Sequence, residues 1–534
     1  MTNYSFYSHQ RFFLLLTKVM LIFFMILYAV VWSYISLVRY YSLNATVFDL
    51  GISMQRMWIV FHTNWTVFSF VKYFLFSGFV IIISPISFLN SYSFLLVLQT
   101  IILSVPAYYI YLIARQMELK NLHSFLISSS YLIYFPLAGM NFFDFHFQSF
   151  FILFFIVGYY GFIKGRYKLS LLFFLLSGFT RFPLIIFPLL FGLIELIELY
   201  WKQKETENYE ITKLHYLLVL ILLCSILLIF GLIFQGYPAS SGNIHITSDN
   251  SITLNLYQKI FTLFILLVPF LFINIISIKK LILLLPYVYL LFFSNFLGYQ
   301  YPIFNNNSHY FAVVIPFVFL GSIEALSKIN KLEIKKKINP HIKRFSISIK
   351  RYLKTIVIKR FVYFIVVTMV VTAVFLEPYG PLNKETNNNY NWPSEYNFNF
   401  STFNDVKAIE ALIPKNTSLT NILIQNDLPM VLPRPAASIY TPPFSPILTQ
   451  FSPNINISNA VNNTFPILVG GGRYVYATFY YAIAYVPSYD YYAGDPSMQT
   501  IVHLMINSGK YGLLANESGI MLLERNYDGN VLIG

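Results

Sequence analysis

Charged residues are scarce in this sequence. Only 11% of the 534 residues are Asp, Glu, Lys or Arg, whereas 57% are hydrophobic. Soluble domains contain about 25% charged residues, and a soluble chain of this length would need a charged surface around each of several cores. The composition therefore excludes a soluble multidomain protein and predicts a membrane protein, because a bilayer allows the protein surface to stay apolar.

Cysteine is almost absent as well, with Cys224 as the single example. One thiol excludes a disulfide within the chain, and the lack of a Cys-x-x-Cys pair excludes the usual cysteine zinc sites. The cysteine count therefore carries no information about the redox compartment.

Long apolar runs are abundant. Because a helix needs about 20 mainly apolar residues to cross a bilayer, we predict an α-helical polytopic membrane protein with about eleven transmembrane helices. Residues 1–376 form this transmembrane region, with its first run an uncleaved signal anchor. The run at 72–88, broken by Gly78 and Pro85, is expected to insert only halfway. A shorter run at 169–180 is expected to pair with the run at 183–200 as a hairpin. The runs long enough to span lie near residues 12–38, 91–114, 121–141, 148–163, 183–200, 212–234, 258–278, 281–296, 310–327 and 361–376.

Basic residues indicate the orientation. Of the 36 Lys and Arg residues, twelve lie between Lys328 and Arg360, where only Glu333 opposes them. Cytoplasmic loops are enriched in Lys and Arg, so we predict that the basic loop 328–360 and the N-terminus face the cytoplasm. This loop is expected to contact anionic lipids, and its placement argues against nucleic-acid binding despite the net charge of +14. The first outer loop, 39–71, and the region after 376 are then extracytoplasmic.

Asn-x-Ser/Thr sequons agree with this orientation. Eight of nine fall on the predicted outer side, and the exception is Asn3. Polar residues also collect in outer segments, so the agreement supports the orientation without proving it, and glycosylation is one use of these sites. The eight candidates are Asn44, Asn64, Asn306, Asn399, Asn416, Asn456, Asn462 and Asn516.

Residues 377–534 differ in composition from the rest of the chain and are rich in Asn, Pro, Tyr and Ser. Helical spacing at Asp405–Leu412, a strand at Ser418–Ile424 and a final hairpin around Gly519 predict a small C-terminal α/β extracytoplasmic domain. The Gly470–Gly472 triplet is expected to be a turn, because no Lys-Ser/Thr pair follows it as in a phosphate-binding loop. This domain is expected to cover a site or to bind envelope proteins or glycans.

Polar residues near the outer membrane boundary are the candidates for function, since such groups are costly at membrane depth. Asp49 lies in the first outer loop, where it is either a general base or metal ligand, or the N-cap of an amphipathic helix at Ile52–Val60. Gln55 and Arg56 lie on the polar face of that predicted helix and are candidate substrate contacts.

Asp144 and His146 form a second candidate, because each is flanked by phenylalanines at a predicted boundary. In a functional role they orient each other, bind a divalent cation or hold a phosphate. The alternative is a structural role, in which they cap a helix end or anchor the chain at the membrane interface. Arg181 lies in a short turn and either pairs with a lipid phosphate or extends to the headgroups. His309 precedes the run 310–327.

Several motifs carry a resemblance to a known family. They are Phe48-Asp-Leu-Gly51 with Gln55 and Trp58, Asp144-Phe-His146, Lys164-Gly-Arg166 with Arg181, Ser308-His-Tyr310 through Ile315-Pro316, and Gly519 to Arg525. With these motifs the chain resembles an uncharacterised prokaryotic membrane protein family, the domain of unknown function twenty seventy-nine. Its richness in Asn, Ile and Tyr resembles archaeal, specifically crenarchaeal, members.

That family is similar in layout to membrane glycosyltransferases of the GT-C type. Those enzymes take a sugar from a polyprenyl phosphate donor on the outer leaflet and keep an essential acid in the first outer loop. The resemblance implies that Asp49 is this acid. Family members usually carry Lys-Glu-Asp where this chain has Thr180-Arg181-Phe182, and a His common before residues 72–88 is absent. These departures count against metal binding and indicate a divergent or inactive member.

Two functions of different classes follow. In the first, the protein transfers a sugar from a polyprenyl-phosphate donor to an envelope acceptor. Asp49 deprotonates the acceptor, and Asp144 or His146 positions the acceptor or a metal. Arg181, together with His309, holds the donor phosphate. The alternative is a non-catalytic envelope-anchoring or structural subunit of a membrane complex. A transporter is less favoured, because few spans are charged or broken near mid-membrane.

Overall fold

A computed structural model describes the chain in segments. They are residues 2–42, 50–51, 53–54, 57, 60, 66–89, 91–142, 144–206, 210–234, 244–245, 256–293, 295–296, 309–331, 340–377, 400–413, 421–424, 439–440, 465–469, 473–477, 479–485, 506–507 and 509–532.

Helices dominate these segments. In chain order they are α1 (Thr2–Tyr41), α2 (Val67–Ile83), α3 (Tyr92–Ser104), α4 (Pro106–Gln116), α5 (Asn121–Leu132), α6 (Phe135–Phe142), α7 (Ser149–Ile163), α8 (Tyr167–Phe179), α9 (Ile186–Thr206), α10 (Ile211–Phe234), α11 (Leu256–Leu267), α12 (Ile278–Ile282), α13 (Leu285–Phe293), α14 (Ile315–Lys331), α15 (Pro340–Leu376) and α16 (Phe400–Ala411). Short 3-10 segments lie at Ser84–Leu89, Val268–Phe270, Ile273–Ser277 and His309–Val313.

Six helical segments are long and apolar enough to cross a membrane, within the described ranges. A seventh candidate is the pair Lys259–Phe270 and Ile273–Ile282, which is bent by 95°. The bend lies at Leu271 and Phe272, both of which have positive φ. The protein is therefore a helical membrane protein. The six segments are Phe12–Tyr41, Tyr92–Gln116, Asn121–Phe142, Ile211–Ile233, Phe311–Lys331 and Ile358–Leu376.

The predicted total of about eleven spans is not confirmed. The runs at 148–163 and 169–180 form the helices Ser149–Ile163 and Tyr167–Phe179, which are shorter than a full span. The run at 281–296 contributes only the 9-residue α13. Membrane spans and shorter apolar helices share the same apolar composition, so composition alone does not separate them.

Aromatic rings fill the centre of the helical bundle. The ring of Phe155 lies edge-on to those of Phe174 and Phe317, with centroids 5.0 and 4.8 Å apart. Close helix approach requires small residues here, as is usual between membrane helices. A Cβ atom at Gly161 of α7 would lie 3.0 Å from the backbone nitrogen of Ser170 in α8.

Ion pairs collect at the end of the bundle where the basic loop begins. Lys280, which is only 2% exposed, has its Nζ 3.5 Å from Glu195 and 3.9 Å from Glu324. Lys328 in turn lies 2.8 Å from Glu324, and Lys279 pairs with Glu198. A buried ammonium group requires such partners, because desolvation of an unpaired charge is very costly.

The C-terminal region combines α16 with short strands. These are β3 (Asn421–Ile424), β4 (Ile439–Tyr440), β5 (Phe465–Val469), β6 (Arg473–Ala477), β7 (Phe479–Tyr485), β8 (Tyr511–Glu517) and β9 (Ile520–Arg525), after β1 (Ile244–His245) and β2 (Asn295–Phe296) earlier in the chain. Five of them form a mixed sheet in the order β4-β3-β7-β9-β8.

Two predicted C-terminal elements are confirmed. Helix α16 covers most of the Asp405–Leu412 pattern. Strands β8 and β9 form the expected hairpin, whose turn residues Ser518 and Gly519 both have positive φ. Such turns match the natural twist of antiparallel strands. The boundary at residue 377 and the extracytoplasmic location stay predictions.

Gly178→Ala tests the close packing between α8 and the following turn. A Cβ atom at this position would lie 3.0 Å from the Cα atom of Ile185, and backbone cannot move aside as a flexible side chain can. We expect a loss of about 1–3 kcal/mol in the free energy of unfolding in detergent. Gly321→Ala is the control, because its nearest neighbour is the Cβ atom of Lys280 at 3.3 Å. Equal losses in the two variants would contradict this account.

Candidate functional site

The loop between α6 and α7 brings polar groups into the apolar bundle. We call residues 141–148 the polar loop; the structure describes all of it except Phe143. Asp144, Phe145 and His146 have no helical or strand pairing, yet all are buried. Irregular backbone surrounded by apolar helices must find hydrogen-bond partners within the protein. The polar loop therefore depends on side chains from other helices.

Gln99 of α3 supplies partners for the middle of the polar loop. Its Nε2 donates to the carbonyl of Asp144 at 2.8 Å, and its Oε1 accepts from the backbone N–H of His146 at 2.7 Å. A side-chain amide has both a donor and an acceptor, so one glutamine replaces a pair of strand hydrogen bonds. Gln99 is completely buried, which fixes the loop to α3.

Hydroxyl groups supply further hydrogen bonds to the loop. Thr100, next to Gln99, donates to Oδ1 of Asn141 at 2.9 Å. Ser53 donates to the carbonyl of Phe145 at 3.3 Å, and Ser149 donates to that of His146 at 2.6 Å. The polar loop is thus held from α3, from residue 53 and from the start of α7.

A buried ion pair fixes the acidic residue of the loop. Nη1 of Arg39 lies 3.4 Å from Oδ1 of Asp144, and the two residues are only 6% and 3% exposed. The same guanidinium donates to the carbonyl of Phe142 and lies 4.3 Å from the centre of its ring. Planar guanidinium groups suit such combined contacts. This arrangement uses Asp144 to anchor α1 to the polar loop.

Sequence reasoning missed Arg39 and Gln99. Both left a local signal: Arg39 directly follows the apolar run 12–38, and Gln99 is the one amide side chain in the run 91–114. A polar side chain at such a position has to find a partner inside the protein. The partner itself was invisible, because it lies far away in the sequence.

Arg181 lies beside the other end of the polar loop. Its Nη1 donates to Oε1 of Gln148 at 2.9 Å, while the side chain remains exposed. The structure therefore brings together three predicted candidates: Asp144 and His146 in the loop, and Arg181 through Gln148. His146 is 9% exposed.

Other predicted site residues are described only in part or not at all. Asp49, Gln55 and Arg56 lie outside the described residues, although their neighbour Leu50 packs in one hydrophobic cluster with Phe145. His309 begins a 3-10 turn, and its side chain also lies outside the described set. Of the eight sequons, only Asn516 is described, in β8; Asn44, Asn64, Asn306, Asn399, Asn416, Asn456 and Asn462 are not.

The C-terminal region packs against the same place. Phe403 of α16 lies against the end of α1, with its ring centre 5.3 Å from that of Tyr40 and 4.9 Å from that of Tyr41. Ile520 of β9 joins the cluster that contains Phe145 of the polar loop. The C-terminal sheet and α16 therefore adjoin the polar loop.

The described donors do not fit a divalent cation. No group of three or more His, Cys, Asp and Glu residues lies together in the part of the chain that the structure describes. Asp144 is already paired with Arg39, and a guanidinium beside a carboxylate opposes cation binding through charge repulsion. A cation ligated by Asp144 and His146 is therefore poorly supported, and no reaction step is assigned to one.

Comparison with known proteins gives a family. A family described as predicted membrane protein (DUF2079) matches residues 39–431. The chain belongs to this family. The DUF2079 region begins at Arg39 and includes Gln99, the polar loop and Arg181, so the geometry described above lies within it. No curated protein and no solved structure matches the chain.

Gln99→Leu tests the hydrogen bonds to the polar loop. The substitution leaves the carbonyl of Asp144 and the N–H of His146 without their partner, at about 1–3 kcal/mol for each buried group. We expect this loss in unfolding measurements in detergent. Gln116→Leu, at an exposed site at the end of α4, is the control and should change stability by less than about 0.5 kcal/mol. Similar losses of stability in the two variants would contradict the proposal that Gln99 holds the polar loop.

The Arg39–Asp144 pair is testable by a double-mutant cycle. Arg39→Met and Asp144→Asn should each cost about 3–5 kcal/mol, because each leaves a buried charge without its counterion. The double variant should lose less than the sum by about 1–3 kcal/mol. Additive losses in detergent unfolding would show that the two groups do not stabilise each other.

Proposed function

We propose that this protein is a membrane glycosyltransferase of the GT-C type, which moves a sugar from a polyprenyl-phosphate donor to an envelope acceptor. The observation that carries the proposal is the exposed Arg181 guanidinium, held 2.9 Å from Gln148 at the edge of a buried polar loop. A cation exposed beside apolar helices suits the phosphate of a lipid whose chain stays in the bilayer.

Asp49 is the proposed general base. Its carboxylate takes the proton of the acceptor hydroxyl while that oxygen bonds to the anomeric carbon of the sugar. The bond from that carbon to the phosphate oxygen breaks, and its electron pair leaves with the polyprenyl phosphate. Support comes from Ser53, four residues along the chain, whose Oγ contacts the polar loop at 3.3 Å.

Arg181 stabilises the leaving phosphate, since its negative charge grows as the sugar departs. His309 is proposed to assist it, and Gln55 and Arg56 to contact the substrates. His146 positions the acceptor. Asp144, buried against Arg39, is best assigned as a positioning residue that sets the geometry of the loop, because a carboxylate that is 3% exposed has little access to substrate.

The proposed orientation places this site at the outer face. The basic loop 328–360 then faces the cytoplasm, near the buried Lys280 cluster, and the polar loop lies at the opposite end. Residues 377–534 cover the site in this proposal, a role consistent with the packing of Phe403 against Tyr41. The acceptor is an envelope glycan or protein.

The second candidate is a non-catalytic envelope-anchoring or structural subunit. The observation in its favour is that Asp144 has a full structural role in its pair with Arg39. Transport is a third and weaker candidate, favoured only by the 95° bend between Lys259–Phe270 and Ile273–Ile282.

Asp49→Asn and Arg181→Gln test the transfer reaction. Each should lower sugar transfer from a polyprenyl-phosphate donor in purified membranes by about 100-fold or more, as expected for loss of a general base or of charge stabilisation. The matched control is Arg166→Gln. Arg166 is also exposed and precedes α8, whereas Arg181 follows the opposite end of that helix.

Envelope glycans measured by mass spectrometry give a second readout in cells. If Asp49→Asn inserts normally and leaves these glycans unchanged, catalysis through Asp49 is ruled out. Equal losses in Arg166→Gln and Arg181→Gln would mean that Arg181 has no specific role. Unchanged transfer in both Asp49→Asn and Arg181→Gln would favour the structural subunit.

A further inference from the structure

A groove of about 470 Å³ lies between α1, α5 and α15. This volume is within the range of small-molecule sites, roughly 300–1,000 Å³. Each of these helices contributes to a candidate membrane span: Phe12–Tyr41, Asn121–Phe142 and Ile358–Leu376. The groove therefore lies at the depth of the bilayer, beside the polar loop and separate from Arg181.

The groove opens towards lipid. Leu27 and Val31 of α1 line it and are 48% and 44% exposed, as expected for side chains that face hydrocarbon. Tyr28 and Trp32, on the same helix, form its inner wall and are only 6% and 7% exposed. A hydrocarbon chain can enter such a groove from the side without leaving the membrane.

One end of the groove is apolar and the other is polar. Helices α1 and α5 run in the same direction, because Thr17 accepts a hydrogen bond from Asn121 and the ring of Phe24 stacks on that of Phe125 further along. Both phenylalanines line the apolar end. At the other end lies Glu377, directly after α15.

An apolar end and a polar end match the two parts of a lipid molecule. Its chain points to the middle of the bilayer, and its headgroup lies at the boundary. The polar end also adjoins the polar loop. Trp32 lies one helical turn, about 6 Å, before Ser36 on α1. The Ser36 hydroxyl is 3.5 Å from the carbonyl of Asn141.

The polar groups of the groove select the headgroup. Among the described residues that line it, none is Lys or Arg, so the groove offers no cation to a phosphate. The acidic side chain among them is Glu377, whose carboxyl pKa is raised to about 7 by burial. The Ser129 hydroxyl has no hydrogen-bond partner within the described part of the chain. A carboxyl group and a neutral hydroxyl suit a headgroup that is uncharged and rich in hydroxyl groups, which both donate and accept hydrogen bonds.

We propose that this groove binds a lipid with a neutral, hydroxyl-bearing headgroup, a sugar or polyol, with its chain along α1 and its hydroxyl groups bonded to Glu377 and Ser129. Binding does not depend on the transfer reaction. Such a lipid also carries the hydroxyl that an acceptor needs, and only that additional role rests on the proposed function.

The test uses the full chain in phosphatidylcholine nanodiscs doped with one of two lipids that share the same acyl chains. Glucosyl diacylglycerol carries the neutral sugar, and phosphatidic acid carries a phosphate. Native mass spectrometry of the released protein counts the retained lipids. We expect glucosyl diacylglycerol to be retained about tenfold more than phosphatidic acid, the difference given by one or two hydrogen bonds to the carboxyl group of Glu377.

Two variants test the place of binding. Val31→Trp fills the groove and should remove the retained glucosyl diacylglycerol. Leu222→Trp makes the same change on α10 at a lipid-facing residue that is 59% exposed, and should have no effect. Both positions face lipid, so neither substitution is expected to prevent folding, and thermal unfolding checks this.

A third variant tests the headgroup. Glu377→Leu should reduce the preference for the sugar lipid to less than about threefold while the chain still binds. Equal retention of the two lipids by the unaltered protein would overturn the proposal, as would equal losses in Val31→Trp and Leu222→Trp. Those results would identify the groove as ordinary bilayer contact. A normal lipid preference without any sugar transfer would reject the enzyme and leave the binding site in place.

Discussion

The central constraint in this structure is that backbone away from water needs a hydrogen-bond partner for every polar group. Helices meet this requirement internally, but the polar loop does not. The carbonyls of residues 142, 144 and 145 and the N–H of residue 146 take their partners from Gln99, Ser53 and the Arg39 guanidinium. The position of Gln148, and with it that of Arg181, follows from this set of contacts.

The same need for partners explains why several buried charged side chains occur in ion pairs. Two sets of buried ion pairs lie at different ends of the helices, Arg39 with Asp144 and Lys280 with Glu195 and Glu324. Between them the bundle is filled by aromatic rings and close-packed glycines. A buried pair is costly to form and more costly to break, so each set specifies which helices meet rather than adding much net stability.

Local patterns made part of this fold predictable. The long apolar runs and the hairpin at Gly519 depend on neighbouring residues, and the sequence located both. The predicted number of spans is not confirmed, for example where the run 281–296 contains the 9-residue α13, because a short apolar helix and a full span have similar composition. Asp144 was recognisable as a polar group at an apolar boundary. Arg39 and Gln99 left the same kind of local signal, but their partners could not be inferred because they lie 103 and 45 residues away in sequence.

The order of these residues along the chain has a consequence for biosynthesis. A ribosome delivers Arg39 and Gln99 before residues 141–148, so both partners are already made when the irregular segment emerges. Chains fold from the N-terminus during synthesis, so two main partners of the loop are present before the loop itself reaches the bilayer. Phe403 and Ile520 come last, so the C-terminal region packs beside a loop whose partners Arg39 and Gln99 are already made.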